Sequence, residues 1–122
     1  MLGGVPDEKE VVWVGTSLDD LREFPKNARQ DTGFQLEQVQ LGRDPDHWKP
    51  MPTMGAGCRE IRISTGDGIF RVFDVTQFGD EIYVLHCFTK KTQKTSKKDI
   101  DTGERRYKEA KRMDEKRKGR TP

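Results

Sequence analysis

Apolar positions recur in distinct rhythms along this chain of 122 residues. From 58 to 64 and from 69 to 75 they alternate with polar ones on either side of Thr65-Gly66-Asp67-Gly68, which predicts a hairpin. A third run, 81–88, follows the turn at Gly79-Asp80 and completes a three-stranded antiparallel meander. Ahead of it, 11–15 is a short apolar run that carries Trp13 and ends at Gly15, which suits a first strand. Leu18, Leu21 and Phe24 then recur at helical spacing, with Thr16 or Ser17 as the cap, until Pro25 interrupts them. A second helix is expected over 26–41, carrying Ala28, Phe34, Leu36, Val39 and Leu41 and weakened by Gly33, so the pair reads as a helical hairpin or a kinked helix. The stretch 42–57, with three prolines and three glycines, reads as a loop. From 95 to 118 the few apolar residues, Ile100, Tyr107, Ala110 and Met113, suit a charged helix capped near Thr95 or Ser96, with Gly103 as a weak point. The expected class is α+β: an N-terminal strand and helical hairpin packed on the meander, four strands in all, with a basic C-terminal helix.

An apolar content of 31% supports one core, so residues 1–122 are expected to form a single domain, with 1–10 and 116–122 flexible. No stretch has the character of a secretory signal or reaches transmembrane length, which points to a cytoplasmic protein without a membrane partner. Cys58 and Cys87 form no CxxC pair and lack metal-type spacing with His47 or His86. Buried free thiols are expected, with no metal and no cofactor.

The formal net charge of +2 hides a strong polarity. Residues 1–88 hold 9 Lys/Arg against 15 Asp/Glu, and residues 89–122 hold 14 against 6. The change begins where the last meander strand ends: His86, Lys90, Lys91, Lys94, Lys97 and Lys98 follow one another with no carboxylate before Asp99. Such a cluster beside a rigid sheet suits a nucleic acid or an acidic protein.

Strand pairing adds geometry. Either length of the first turn sets Arg62 opposite Arg71 and Ile63 opposite Phe70, and even-length turns put His86 and Phe88 on the arginine face. The other face would carry Ile61, Ile63, Phe70, Val72, Tyr83, Leu85 and Cys87, to be covered by the N-terminal helices. Two arginines directly opposite each other repel, so either an anion sits between them or Glu60, Asp74 or a helix carboxylate pairs with each. His86 is a proton acceptor or a satisfied strand histidine. Phe88 stacks on a base or belongs to the core under the final helix. Trp13 reads as sheet packing, Trp48 as an anchor for the long loop, and His47 as a surface residue, with substrate contact as the lesser alternative.

Three blocks carry a family resemblance: Trp48-Lys49-Pro50-Met51; Arg59-Glu60-Ile61-Arg62 through Phe70-Arg71-Val72-Phe73; and Tyr83-Val84-Leu85-His86-Cys87-Phe88-Thr89-Lys90-Lys91-Thr92-Gln93-Lys94-Thr95. With the order of elements, they make the chain, from about residue 11 to 113, resemble the RelE/ParE toxin superfamily, in particular its phage-derived, HigB-type RelE-like branch. The resemblance implies a RelE-like fold and a toxin that cleaves messenger RNA on the ribosome without a metal, the ribose 2′-hydroxyl attacking the adjacent phosphate. It further implies a co-encoded antitoxin, commonly a helix-turn-helix DNA-binding protein, through which alone the toxin would meet operator DNA. Carried onto this chain, it makes Arg62 and Arg71 the phosphate clamp and sets Lys90 or Lys91 at the transition state or leaving group. Lys49, Phe88, Lys94, Lys97 and Lys98 then become RNA contacts. For the base, RelE uses a C-terminal tyrosine; here His86, a lysine with a lowered pKa, or the more distant Tyr107 stands in its place. ParE-like inhibition of DNA gyrase and non-catalytic binding of RNA or ribosomes are the alternatives.

Overall fold

The computed structural model describes residues 8–119. Along the chain come β1 (Val11–Trp13), α1 (Ser17–Arg22), α2 (Lys26–Gln40), β2 (Trp48–Pro50), β3 (Cys58–Thr65), β4 (Gly68–Val75), β5 (Ile82–Thr89) and α3 (Lys97–Gly119). The strands form one five-stranded mixed sheet in the order β1-β5-β4-β3-β2, in which β1 runs parallel to β5 and every other pair is antiparallel. The sheet therefore has one strand more than the four expected, and the extra strand lies in the stretch read as a loop. β2 pairs Trp48 with Ile61, Lys49 with Glu60 and Pro50 with Arg59. It occupies the outer edge, where a proline is tolerated because no further strand needs its missing N–H.

The helices follow their sequence signals closely. Pro25, with φ −54°, stands between α1 and α2, and α2 runs on unbroken through Gly33, so the hairpin rather than a kink is what forms. At α3, Ser96 caps: its Oγ accepts from the Asp99 N–H at 3.2 Å and donates to Asp99 Oδ2 at 2.7 Å. Thr95, the other candidate cap, faces inward instead.

The register of the first hairpin sets Arg62 opposite Arg71 and Ile63 opposite Phe70 across the two-residue turn Gly66-Asp67. The second hairpin differs from expectation. Phe73 pairs with His86 but Asp74 pairs with Val84, which leaves Leu85 over as a bulge. Below that point the strand's faces are exchanged. Ile82 and Val84 join Phe24, Ala28, Leu36, Val39, Ile61, Ile63, Phe70, Val72 and Cys87 under α1 and α2. Tyr83 and Leu85, expected on that side, pack on the other with Val12, Phe73, Val75, Phe88 and Ala110 under α3. Both faces thus carry apolar cores, and α3 covers the His86 and Phe88 half of the arginine face.

Gly103 makes that cover possible. A Cβ there would fall on the Met54 sulfur and lie 2.9 Å from the Phe73 ring, so the glycine read as a weak point is where α3 packs directly against the sheet. Gly103→Ala should lower stability by about 1–3 kcal/mol, because overpacking outweighs the roughly 1 kcal/mol gained in helix propensity. A denaturant melt checks this; an equal or raised midpoint would contradict it.

Of the termini expected to be flexible, 1–7 and 120–122 lie outside the described residues. Within them, the Lys9 N–H donates to Gln40 O at 3.0 Å, the Ile82 N–H donates to Glu10 O at 2.9 Å, and Arg117 lies 3.6 Å from Glu10 and 3.8 Å from Glu81. Cys58 and Cys87 are buried free thiols, and burial pushes the Cys58 thiol up to about 12. Among the described residues no helix is long and apolar enough to cross a membrane.

Candidate active site

Beside α3, a cavity of about 520 Å³ opens over β2, β3 and β4, lined among others by His47, Lys49, Glu60, Arg62, Arg71 and Lys90. Alternation along β3 aims Glu60 and Arg62 at this side, pairing brings Lys49 and Arg71 beside them, and Lys90 follows the last residue of β5. The Lys90 N–H donates to Ile69 O at 2.9 Å, which continues the β4–β5 ladder by one step. Four cations and two carboxylates, Glu60 and Asp46, line the space. Asp46 is held aside by Gln35, whose Nε2 donates to its Oδ2 at 2.9 Å.

Glu60 is the hub. It is 2% exposed, and its Oε1 accepts from Arg71 Nε at 2.8 Å while lying 3.8 Å from Lys49 Nζ and 3.9 Å from Lys90 Nζ. Its Oε2 accepts from the Thr95 hydroxyl at 2.9 Å. One buried carboxylate therefore fixes a guanidinium, approaches two ammonium groups and ties down the lysine-rich loop ahead of α3. Arg62 differs: it is exposed, and no carboxylate pairs with it among the described residues. Asp74, expected as an alternative partner, is instead buried against Arg59, with contacts of 3.0 and 2.8 Å. The opposed arginines are thus only half neutralised, and the open half faces the cavity.

Lys90 has an unusual setting. Its side chain is 7% exposed, and burial lowers its pKa below the ordinary lysine value; Glu60 opposes this, while Arg71, Lys49 and Arg62 push it further down. Lys91 lines an adjoining groove of about 490 Å³ that shares Arg62, Arg71 and Lys90, so the basic surface continues past the cavity. Lys94 and Lys97 border a separate depression at the start of α3, where Lys97 also pairs with Asp101 at 3.1 Å. Lys98 is exposed on α3.

Two residues expected at this site lie elsewhere. His86 shares the arginine face by register, but its Nε2 is 2.7 Å from Asp99 Oδ1, its Nδ1 is 3.9 Å from Asp20, and its side chain is 12% exposed. Burial lowers its pKa despite Asp99. Phe88 stacks on it with ring centroids 4.9 Å apart and touches Phe73 at the same distance, so it is core under α3 and offers no free face. Tyr107 is also engaged, donating to Ala56 O at 2.7 Å. Trp48, read as an anchor for the long loop, is 41% exposed.

From the sequence, Glu60 was only a candidate arginine partner and Thr95 only a candidate cap, neither assigned to this site; His47 is exposed, as expected of a surface residue, and lines the cavity. Glu60 was detectable, since it stands two residues before Arg62 on an alternating strand and so shares its face. Thr95 gave no such signal, because its contact depends on where the loop after β5 returns.

Residues 19–108 match the family model described as phage-derived protein Gp49-like (DUF891). No curated protein sequence matches the chain. The matched span runs from α1 into α3 and includes every cation of the cavity. On that match over most of its length, this chain belongs to the phage-derived Gp49-like family (DUF891), within the RelE/HigB-like toxin group.

Proposed function

We propose that this protein is the toxin of a toxin–antitoxin pair, a HigB-type endoribonuclease that cuts messenger RNA on the ribosome. The observation that carries the reading is the unmatched Arg62 beside the anchored Arg71 in a cationic cavity. Two guanidiniums, one exposed without a carboxylate partner among the described residues and one fixed by Glu60, suit a phosphate whose charge grows as it passes through a five-coordinate transition state. Family membership supports the toxin class.

In the reaction, the ribose 2′-oxygen bonds to the neighbouring phosphorus and the bond to the 5′-oxygen of the next nucleotide breaks, leaving a cyclic phosphate and a free 5′-hydroxyl. Lys90, in its neutral form, takes the 2′-proton. It is the group in the cavity with a lowered pKa, whereas His86 and Tyr107 are committed elsewhere. Glu60 is not free to take that proton, because both its oxygens already accept hydrogen bonds. Its part is to position Arg71. Lys49, 57% exposed at the mouth, meets the departing 5′-oxygen with its charge and proton. Lys91, Lys94, Lys97 and Lys98 add sequence-independent attraction for RNA.

The inhibitor that fits this cavity is an acidic segment of a co-encoded antitoxin, a helix-turn-helix protein that would also carry the pair to operator DNA. The test is expression of the chain alone, with primer-extension mapping of mRNA ends. Growth should stop, and cuts with free 5′-hydroxyls should arise in translated messages only. Cuts that persist when translation is blocked would contradict the ribosome step. DNA damage without mRNA cuts would mean a gyrase inhibitor, and ribosome association without cutting would mean a binding module.

A further inference from the structure

We infer that Trp48 is a stacking platform for an unpaired RNA base next to the scissile phosphate; the inference rests on the proposed RNA-cleaving function. Trp48 and Phe34 are the exposed large hydrophobic residues among those described, and Trp48 also lines the cationic cavity. The same tryptophan lines a second cavity of about 420 Å³, whose walls include Pro50, Pro52, Arg59, Thr76 and Gln77. One space holds four cations, of which Arg62 has no carboxylate partner among the described residues, and its neighbour sets the indole and two prolines among Asp44, Arg59, Thr76 and Gln77. That pairing follows the division of a nucleotide into phosphate and base.

The indole is held ready. The Arg59 guanidinium carbon lies 5.2 Å from the ring centroid, and Arg59 is itself fixed by the two contacts to Asp74. With its charge matched by Asp74, Arg59 serves as the back of the platform rather than as another phosphate clamp. A ring stiffened in this way loses little freedom when a base stacks on it. Lys49 and Trp48 are consecutive in β2 and leave opposite faces of the sheet, yet β2 is the outer strand. An RNA strand held at Lys49 and Arg62 therefore reaches the indole by turning over an edge that no further strand blocks. Stacking on an aromatic ring tolerates any base, which suits a site that binds flanking sequence.

The test measures single-turnover cleavage of ribosome-bound mRNA by the full chain, Trp48→Phe and Trp48→Ala, on normal message and on messages lacking, in turn, each base that flanks the cut. Trp48→Ala should slow cleavage of normal mRNA about tenfold, and Trp48→Phe should keep most of the rate. With one of the two abasic messages, Trp48→Ala and the unaltered chain should cut equally, since the stacking partner is gone. An unchanged rate for Trp48→Ala on normal mRNA overturns the inference. So does an equal loss on all three messages, which would make Trp48 a structural cover for Arg59, and so does a loss confined to antitoxin affinity, which would make it a protein contact. Failure of the unaltered chain to cut any message would instead overturn the RNA-cleaving function, and this inference with it.

Discussion

Arg71→Ala should abolish growth arrest and reduce mRNA cleavage on translating ribosomes by at least about a hundredfold to a thousandfold, the range for loss of a charge-stabilising donor. The effect will not be purely chemical. Arg71 is buried against Glu60, and removing one member of a buried pair leaves the other charge uncompensated, at roughly 3–5 kcal/mol. The single variant should therefore melt early as well as fail to cut. Arg71→Ala combined with Glu60→Gln separates the two effects: it removes the stranded carboxylate but keeps an acceptor for Thr95. Much of the lost stability should return, with no return of cleavage. If the double variant regained cleavage, Arg71 would be a structural partner of Glu60 and not a phosphate clamp. Retention of full toxicity by Arg71→Ala would remove it from the site altogether.

This dual character explains what could and could not be read from sequence. The first hairpin was legible because a two-residue turn and strict alternation fix which residues oppose one another, and Arg62 met Arg71 on that basis alone. The second hairpin carried the same signals, but the bulge at Leu85 exchanged the faces below it. Both faces of that strand are apolar, so the sequence pattern is the same with or without the extra residue. β2 stayed hidden because three exposed residues ending in proline show no strand periodicity; its pairing comes from β3, which offers an open edge. The burial of Phe88 and the exposure of Trp48 have one cause: the position of α3. Gly103 lets that helix lie on Phe73, which buries Phe88, while the β2 edge beyond the helix leaves Trp48 uncovered. Both placements are tertiary, and each residue's own neighbours in sequence gave either answer. Glu60 was considered only as a partner for an arginine, and pairing with Arg71 is the contact it makes. Its further contacts with Lys49, Lys90 and Thr95 bring together three separate stretches of chain.

Lys90→Arg should cost about a hundredfold to ten-thousandfold in cleavage, although the positive charge is retained. The reason lies in which protonation state works. A base must be neutral, and at Lys90 burial and the surrounding Arg71, Lys49 and Arg62 all favour loss of the proton, opposed by Glu60. The folded pKa is below that of an ordinary lysine, so the neutral fraction at a given pH is larger, and the cleavage rate should climb as pH rises until that lowered pKa is passed, then level off. Arginine at the same position stays charged throughout, so the variant should show a low rate without that rise. Lys90→Met, which removes both charge and base, should fall at least as far and be equally flat. Single-turnover cleavage at saturating enzyme, measured across the alkaline range, reads these profiles directly. If Lys90→Arg kept most of the rate, Lys90 would act through charge alone and the 2′-proton would leave by another route, with His47 at the cavity wall the next group to replace. A rate that fell with rising pH in the unaltered chain would reverse the assignment, making protonated Lys90 the acid at the 5′-oxygen and leaving Lys49 to support the phosphate.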